Sequence, residues 1–529
     1  MASPVRIRHV PAGQSLNQHA LYPPARTGHQ HSKRQRATAA SVENSRAAIR
    51  KFSLLVLVIL ASIPQPGLTH SADRGFVLLL PTGYYLVGGT LAVAASILLV
   101  AFLRTDTMDR LSRWRPLLRW PGKPWPVVSL ISTLVWAGLV LIGLFGDSDP
   151  LTNLLPLVVW TLFWVVLTLL HALFGNWWSW LNPWSGCLWL LSRTGSELGS
   201  KPVLVLPPQL GYLPAIVVFI AFAWFELVSL APEDPVNLAT VVTAYWCFTL
   251  CALVLFGERD WLHRGEAFSV FFRFISQLSP VSVESNNTGD TGARAALGIS
   301  WPGARLIRQS SIHWSGGLFI LVTLATVSFD GLNKTFWWLH LNGINPLAFA
   351  GRSSVLSINS VGLLLACTVL VFLYWIAVTL GWSQRQSATS HDADSITLAT
   401  ALGSFALAIM PISLAYHAAH FLTQLLVNGQ YLVKNLSDPL GRGQNLFGTA
   451  DLQVTTSFLS NHHAVEVLWK LQVLLIVLGH IASVVIAHGV ALRLYRSHRA
   501  AVRSQWPLGA LMVAYTLFGL WLLSTPTGL

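Results

Sequence analysis

The run ITLATALGSFALAIMPISLAYHAAHFLTQLLV, residues 396–427, contains no Asp, Glu, Lys or Arg. About 20 apolar residues in a helix cross the roughly 30 Å hydrocarbon core of a bilayer, and this run is longer than that. Comparable runs recur along the chain, so the sequence predicts an all-α fold, a polytopic membrane helix bundle with about ten transmembrane helices plus interfacial helices. The predicted spans are residues 84–103, 125–145, 154–174, 212–231, 236–256, 315–330, 357–382, 396–425, 466–492 and 506–524.

The composition agrees with a chain that faces lipid. Of 529 residues, 53% are hydrophobic and only 10% are charged, whereas a soluble domain has about 25% charged residues. The lipid bilayer is therefore the first partner that we expect.

The net charge of +13 raises the question of a nucleic-acid partner, because basic chains bind polyanions. The positions of the charges argue against one. After residue 69, nineteen Lys and Arg fall on one predicted side of the membrane and six on the other. This imbalance orients a membrane protein, with the basic side in the cytoplasm, and we expect no nucleic-acid partner.

The chain divides into three predicted parts. Residues 1–50 are polar and basic and form a disordered tail. Residues 51–72 read as a signal peptide or as an uncleaved anchor, because a dozen apolar residues follow a basic pair. Residues 73–529 form the transmembrane helical domain. Within it, we expect the tryptophan-rich segment 177–192 and the mixed segment 261–275 to lie as interfacial helices at the lipid headgroups.

Histidines inside the predicted spans are the first functional candidates, since ionisable groups are costly there. His417 and His420 are three residues apart, so both can reach one metal ion from one helix face. His480 on the next span lies at a comparable depth, whereas His488 lies about 12 Å deeper and cannot join the same mononuclear site.

Carboxylates near these histidines are few. Glu226 and Asp330 lie near the outer ends of their predicted spans, and either could be a metal ligand or orient a histidine. The candidate site is His417, His420 and His480 with Asp330 or Glu226, with Glu226 as the metal-ligand candidate and Asp330 as the catalytic one. Asp438, in a predicted outer loop, is a further catalytic candidate, with plain solvation as its alternative. We expect a divalent metal ion, whose identity the ligand types do not fix. The structural alternative is that each histidine only hydrogen-bonds a neighbouring helix.

Several short motifs lie in and between the predicted spans. They are Leu181-Asn182-Pro183-Trp184, Gly257-Glu258-Arg259-Asp260-Trp261-Leu262, Ser328-Phe329-Asp330-Gly331, Ala415-Tyr416-His417 with His420, Ser437-Asp438-Pro439 and Gly479-His480. Together they resemble a bacterial family of multi-spanning membrane proteins labelled fenitrothion hydrolase. The resemblance implies hydrolysis of an organophosphorus triester, a small apolar substrate, a possible second subunit and a place in the bacterial inner membrane. The charge imbalance predicts that the candidate site faces the outer side. The chain departs from the family pattern at Gly489, where an acidic residue would follow His488.

Two other functions use the same histidines. A transporter could relay protons or a cation along them, and a redox subunit could bind haem or copper through two imidazoles. The residues alone leave all three functions open.

Overall fold

The computed structural model describes residues 82–120, 126–194, 202–285, 295–309, 311–348, 351–384, 396–495 and 497–525. These residues belong to one compact unit, Leu78–Leu529. The described residues begin at Thr82. The parts of the chain predicted as residues 1–50 and 51–72, and the start of the predicted domain 73–529, therefore lie outside them.

Helices make up nearly all of the described structure. In chain order they are α1 (Thr82–Val100), α2 (Thr105–Leu111), α3 (Pro126–Phe145), α4 (Leu154–Phe174), α5 (Trp178–Leu181), α6 (Ser185–Arg193), α7 (Leu213–Leu227), α8 (Pro235–Phe256), α9 (Glu258–Arg264), α10 (Ala267–Ile275), α11 (Ala304–Arg308), α12 (Trp314–Leu332), α13 (Phe336–Leu341), α14 (Arg352–Ser383), α15 (Leu398–His420), α16 (Leu422–Asn435), α17 (His462–Leu494) and α18 (His498–Ser524).

Nine helices of the described residues are long and apolar enough to cross a membrane: α1, α3, α4, α8, α12, α14, α15, α17 and α18. This confirms the predicted all-α polytopic bundle, and the chain is a multi-pass membrane protein.

The predicted span 212–231 contains a helix that is shorter than a membrane span, because α7 has only 15 residues. At 1.5 Å per residue α7 covers about 22 Å, less than the hydrocarbon core. The apolar run continues past Leu227, but the helix does not.

The predicted span 396–425 also ends earlier than expected. Helix α15 stops at His420, and the chain turns at Phe421 before α16 begins. His417 therefore lies one turn from the end of its helix. Just before Pro411, residues Leu407–Ile409 form a 3₁₀ turn, a common accompaniment of a proline that removes a backbone donor.

Helices α15 and α17 pack closely because Gly479 has no side chain. A Cβ at this position would lie 2.9 Å from the carbonyl oxygen of Pro411. The glycine thus permits the backbones of two histidine-bearing helices to approach each other.

The structure also contains a small three-stranded sheet, which the sequence did not predict. Strands β1 (Arg115–Trp120), β2 (Val281–Ser285) and β3 (Ala295–Ile299) form an antiparallel sheet in the order β1-β3-β2. Five or six residues give too little alternation to reveal a strand from sequence.

Helix α10 lies inside the bundle, not at the headgroups where we placed segment 261–275. Its residues Val270 and Phe272 are 0% exposed. The buried carboxylate of Glu266 fixes the start of the helix by accepting from the backbone N–H groups of Phe268 at 2.9 Å and Ser269 at 2.6 Å. The hydroxyl of Tyr245 also donates to Glu266. The first N–H groups of a helix have no partner within the helix, and Glu266 accepts from two of them. The N-terminus of α10 can therefore be buried.

Candidate functional site

Asp330 is the centre of a charged cluster at the C-terminal ends of α12 and α15. It lies near the end of α12 and is 3% exposed. One carboxylate oxygen, Oδ2, lies 2.6 Å from Nε2 of His420, and the other, Oδ1, lies 2.7 Å from Nζ of Lys334. A buried carboxylate is expensive unless it is paired, and both of its oxygens have a partner here.

The contact with Asp330 orients the imidazole of His420. Because a carboxylate accepts, Nε2 of His420 carries the hydrogen and donates it, which leaves Nδ1 as the basic nitrogen when the ring is neutral. The His420 side chain is 26% exposed, so the ring can meet a molecule from outside the bundle. A histidine held by a carboxylate is the usual arrangement of a general base.

Lys334 lies one turn beyond Asp330, after α12 ends. Burial opposes the charged ammonium, but the Asp330 carboxylate outweighs that effect and raises the pKa of Lys334. Lys334 was not among the residues that we selected from sequence. The spacing of four residues from an acidic side chain was the available signal.

Glu226, near the end of α7, is the second carboxylate of the cluster. It interacts electrostatically with Asp330, Lys334 and Arg352. Arg352 also donates to the backbone carbonyl oxygens of Glu226 at 3.1 Å and Ser229 at 3.0 Å. Arg352 thus satisfies carbonyl oxygens at the end of α7.

His417 lies one turn deeper than His420 and faces a different helix. Its Nε2 lies 3.0 Å from the carbonyl oxygen of Trp164 in α4, and its ring meets the Trp164 indole edge-on at 5.0 Å. A carbonyl only accepts, so Nε2 of His417 carries the hydrogen and Nδ1 is the basic nitrogen. Trp164 lies in a π-helical segment, Val158–Val166, and such segments are frequent at functional sites.

A buried cavity of about 20 Å³ lies beside the charged cluster. This space holds about one water molecule. Glu226, Asp330 and His417 lie in its wall. The wall also contains four hydroxyl side chains, Thr168, Thr323, Thr326 and Ser413. Ser413 Oγ is buried without a hydrogen-bond partner among the described residues, which suits a water in this cavity.

The structure thus brings together Glu226, Asp330, His417 and His420, but not His480. The Nδ1 of His480 lies 2.9 Å from the carbonyl oxygen of Ile476, and the ring lies beside Tyr416 at 6.1 Å. His480 is not in the cavity wall. The sequence could not show this, because equal depth does not fix the direction in which a side chain points.

Asp438 and His488 also lie apart from the cluster. Asp438 accepts from the backbone N–H groups of Arg442 at 2.8 Å and Gly443 at 2.6 Å. Slight burial acts to raise the pKa of Asp438, but these donors outweigh it and the net shift is downward. His488 contacts Gln505 at 3.1 Å and the carbonyl oxygen of Leu103 at 3.0 Å.

No group of three or more His, Cys, Asp and Glu side chains in the described part of the chain is placed to hold a metal ion. The Nε2 atoms of His417 and His420 are used in the contacts with Trp164 and Asp330. In both rings Nδ1 is the nitrogen left to act as a base or as a ligand.

No family model, no curated protein and no solved structure matches the chain.

Proposed function

We propose that the chain is a hydrolase of the bacterial inner membrane, with its site toward the outer face. The proposed substrates are small apolar organophosphorus triesters, the class implied by the sequence resemblance. The observation that supports the proposal is the 2.6 Å contact between His420 and Asp330, because it fixes a partly exposed imidazole as a base.

The proposed reaction uses groups that the cluster contains. Nδ1 of His420 removes a proton from a water as the water oxygen forms a bond to phosphorus, and the aryloxide leaves with the electron pair of the broken P–O bond. The imidazolium then returns the proton to the aryloxide or to bulk water. Asp330 holds the ring and stabilises its positive charge during the step. Since the described residues place no three ligands together, we assign no step to a metal ion.

The substrate reaches the cluster at its exposed edge. The cavity of about 20 Å³ has room for water and not for a triester. His420 and Lys334 are 26% and 38% exposed at the side-chain level. In the proposal, the triester lies against these two side chains, and the ammonium of Lys334 is close enough to stabilise negative charge that develops on phosphorus-bound oxygen or sulfur.

The test uses the purified full chain in lipid nanodiscs and a nitrophenyl phosphorothioate triester, with nitrophenolate absorbance as the readout. His420→Gln should lower kcat by about 10²- to 10⁴-fold, the usual contribution of a general base. His463→Gln is the matched control, because His463 is exposed in an outer segment and should leave kcat unchanged. Absence of nitrophenolate release by the unmodified chain would contradict the proposal.

A second candidate is proton or cation transport, and the hydroxyl groups of the cavity favour it. Thr323, Thr326 and Asp330 share one face of α12, at a spacing of three and four residues. Their side chains form a row of polar groups that runs from the charged cluster toward the bundle interior. Ion flux in sealed proteoliposomes that Asp330→Asn abolishes, without hydrolysis, would select this function.

A further inference from the structure

A large apolar chamber opens between α3, α4, α7 and α8, and Phe222 separates it from the small cavity of the charged cluster. Its volume is about 800 Å³, within the range of protein ligand sites. Its wall residues on α8 run from Leu238 to Phe248, a rise of about 15 Å. The aromatic wall residues include Trp136, Trp160, Phe163, Trp184, Phe225 and Trp246.

The chamber presents few hydrogen-bonding groups to a ligand, because wall indoles donate within the protein. Nε1 of Trp160 donates to the carbonyl oxygen of Pro232 at 3.2 Å. Trp184 donates to the carbonyl oxygen of Trp246 at 3.1 Å, and Trp246 donates to that of Pro183 at 3.2 Å. The wall hydroxyl of Tyr245 donates to Glu266. A hydrocarbon chain fits such a wall, since it needs no polar partner.

A second cavity meets the chamber at its basic, inner end. It has a volume of about 500 Å³, and Trp178 lies in the walls of both cavities. On α3, Ser129 lines the second cavity and Thr133, one turn along, lines the chamber. The two spaces therefore follow each other along the bundle.

Most residues in the wall of the second cavity have polar side chains, and two of them are arginines. Its wall contains Arg259 and Arg273, with Glu258 as the one acidic side chain among the described wall residues. Arg273 is anchored, because it donates to the carbonyl oxygen of His263 at 2.7 Å. Arg259 is exposed and free to turn toward a ligand. The arginines lie on the side of the bundle where most basic residues fall, the side that meets anionic lipid headgroups.

We propose that the two cavities together form one binding site for an anionic phospholipid. An acyl chain lies in the apolar chamber, and the phosphate lies beside Arg259 and Arg273. The site recognises both parts of the lipid, since the chamber accepts only hydrocarbon and the basic cavity favours an anion. This proposal does not depend on the hydrolase, because Glu226, Asp330, Lys334 and His420 all lie outside the walls of the two cavities.

The test is native mass spectrometry of the full chain released from nanodiscs that contain equal amounts of phosphatidylglycerol and phosphatidylcholine. The unmodified chain should retain one phosphatidylglycerol in preference to phosphatidylcholine. Arg259→Gln should weaken that preference about fivefold, the usual effect of one arginine near a membrane surface. The matched control is Arg110→Gln, which removes an exposed arginine outside both cavities and should leave the preference unchanged.

A second pair of variants tests the chamber itself. Ala137 lines the chamber, whereas Leu134 on the same helix is 73% exposed and lies outside its wall. Ala137→Trp should remove lipid retention, and Leu134→Trp should not. Equal retention of both lipids by the unmodified chain, or retention unchanged in Arg259→Gln and Ala137→Trp, would overturn the proposal. Displacement of the lipid preference by inorganic phosphate alone would show a free-anion site and would also overturn it.

Discussion

Nε2 of His420 lies 2.6 Å from Oδ2 of Asp330, and the contact joins the C-terminal ends of α15 and α12. The two residues are far apart in sequence, so only the packing of the helices creates the pair. Lys334 on the other carboxylate oxygen and Glu226 nearby make the pair part of a network of four ionisable groups.

Removal of Asp330 should destabilise the bundle. Asp330→Ala leaves the partly exposed Lys334 and His420 without the carboxylate that both contact, and the free energy of unfolding should fall by about 1–3 kcal/mol. Unfolding in mixed micelles, followed by tryptophan fluorescence, measures the loss. Asp106→Ala removes an exposed carboxylate of α2 and should stay within about 0.5 kcal/mol of the unmodified chain. An Asp330→Ala variant as stable as that control would show that the pair contributes nothing.

The buried cap of α10 should be equally sensitive. Glu266→Ala removes the acceptor for two backbone N–H groups and for Tyr245, and we expect a loss of about 2–4 kcal/mol from the unsatisfied donors. Glu266→Gln keeps one oxygen and should lose less. Glu258→Ala, in the exposed first turn of α9, is the control in the same unfolding assay. Equal stability of the Glu266 and Glu258 variants would refute the assignment of the cap.

The close approach of α15 and α17 gives a third prediction. Gly479→Ala places a Cβ 2.9 Å from the carbonyl oxygen of Pro411, and overpacking of this kind costs about 1–3 kcal/mol. At Gly138 on α3 a Cβ would meet nothing within 4 Å. Gly138→Ala should therefore be neutral or stabilise by up to about 1 kcal/mol, through helix propensity. Thermal midpoints of the two alanine variants, compared in the same detergent, measure the difference. A lower thermal midpoint for Gly138→Ala than for Gly479→Ala would contradict this prediction.

The pH dependence of stability should include a contribution from His263. Burial and then the charge of Arg273 lower the pKa of His263 from 6.5 to about 4. Between these values the unfolded chain binds the proton more readily than the folded chain, so stability falls as the pH falls from 6.5 toward 4. The thermal midpoint of His263→Gln should decline less over this window than that of the unmodified chain. The two should run parallel above pH 7, and identical slopes between pH 6.5 and 4 would contradict the assignment.

The sequence predicted the fold class because apolar runs of span length are visible one helix at a time. It missed the short length of α7, since hydropathy does not show where a helix ends within an apolar run. It placed segment 261–275 at the lipid headgroups because charged residues stand there among apolar ones, whereas Glu266 is 1% exposed and caps α10.

For the site, the pair His417 and His420 was found from the spacing of histidines in one helix. Their separate partners could not be found, because Trp164 and Asp330 belong to α4 and α12, and nothing in the sequence indicates which helices are neighbours. For the same reason the placement of His480 beside Tyr416, away from the cavity wall, required the structure.

The most direct measurement of the central claim is a double-mutant cycle on kcat for triester hydrolysis in nanodiscs, with Asp330→Asn, His420→Gln and the double variant. If Asp330 acts by holding His420 as the base, the double variant should be no slower than His420→Gln, because the two residues work as one unit. Losses that multiply in the double variant, or full activity in His420→Gln, would contradict the account.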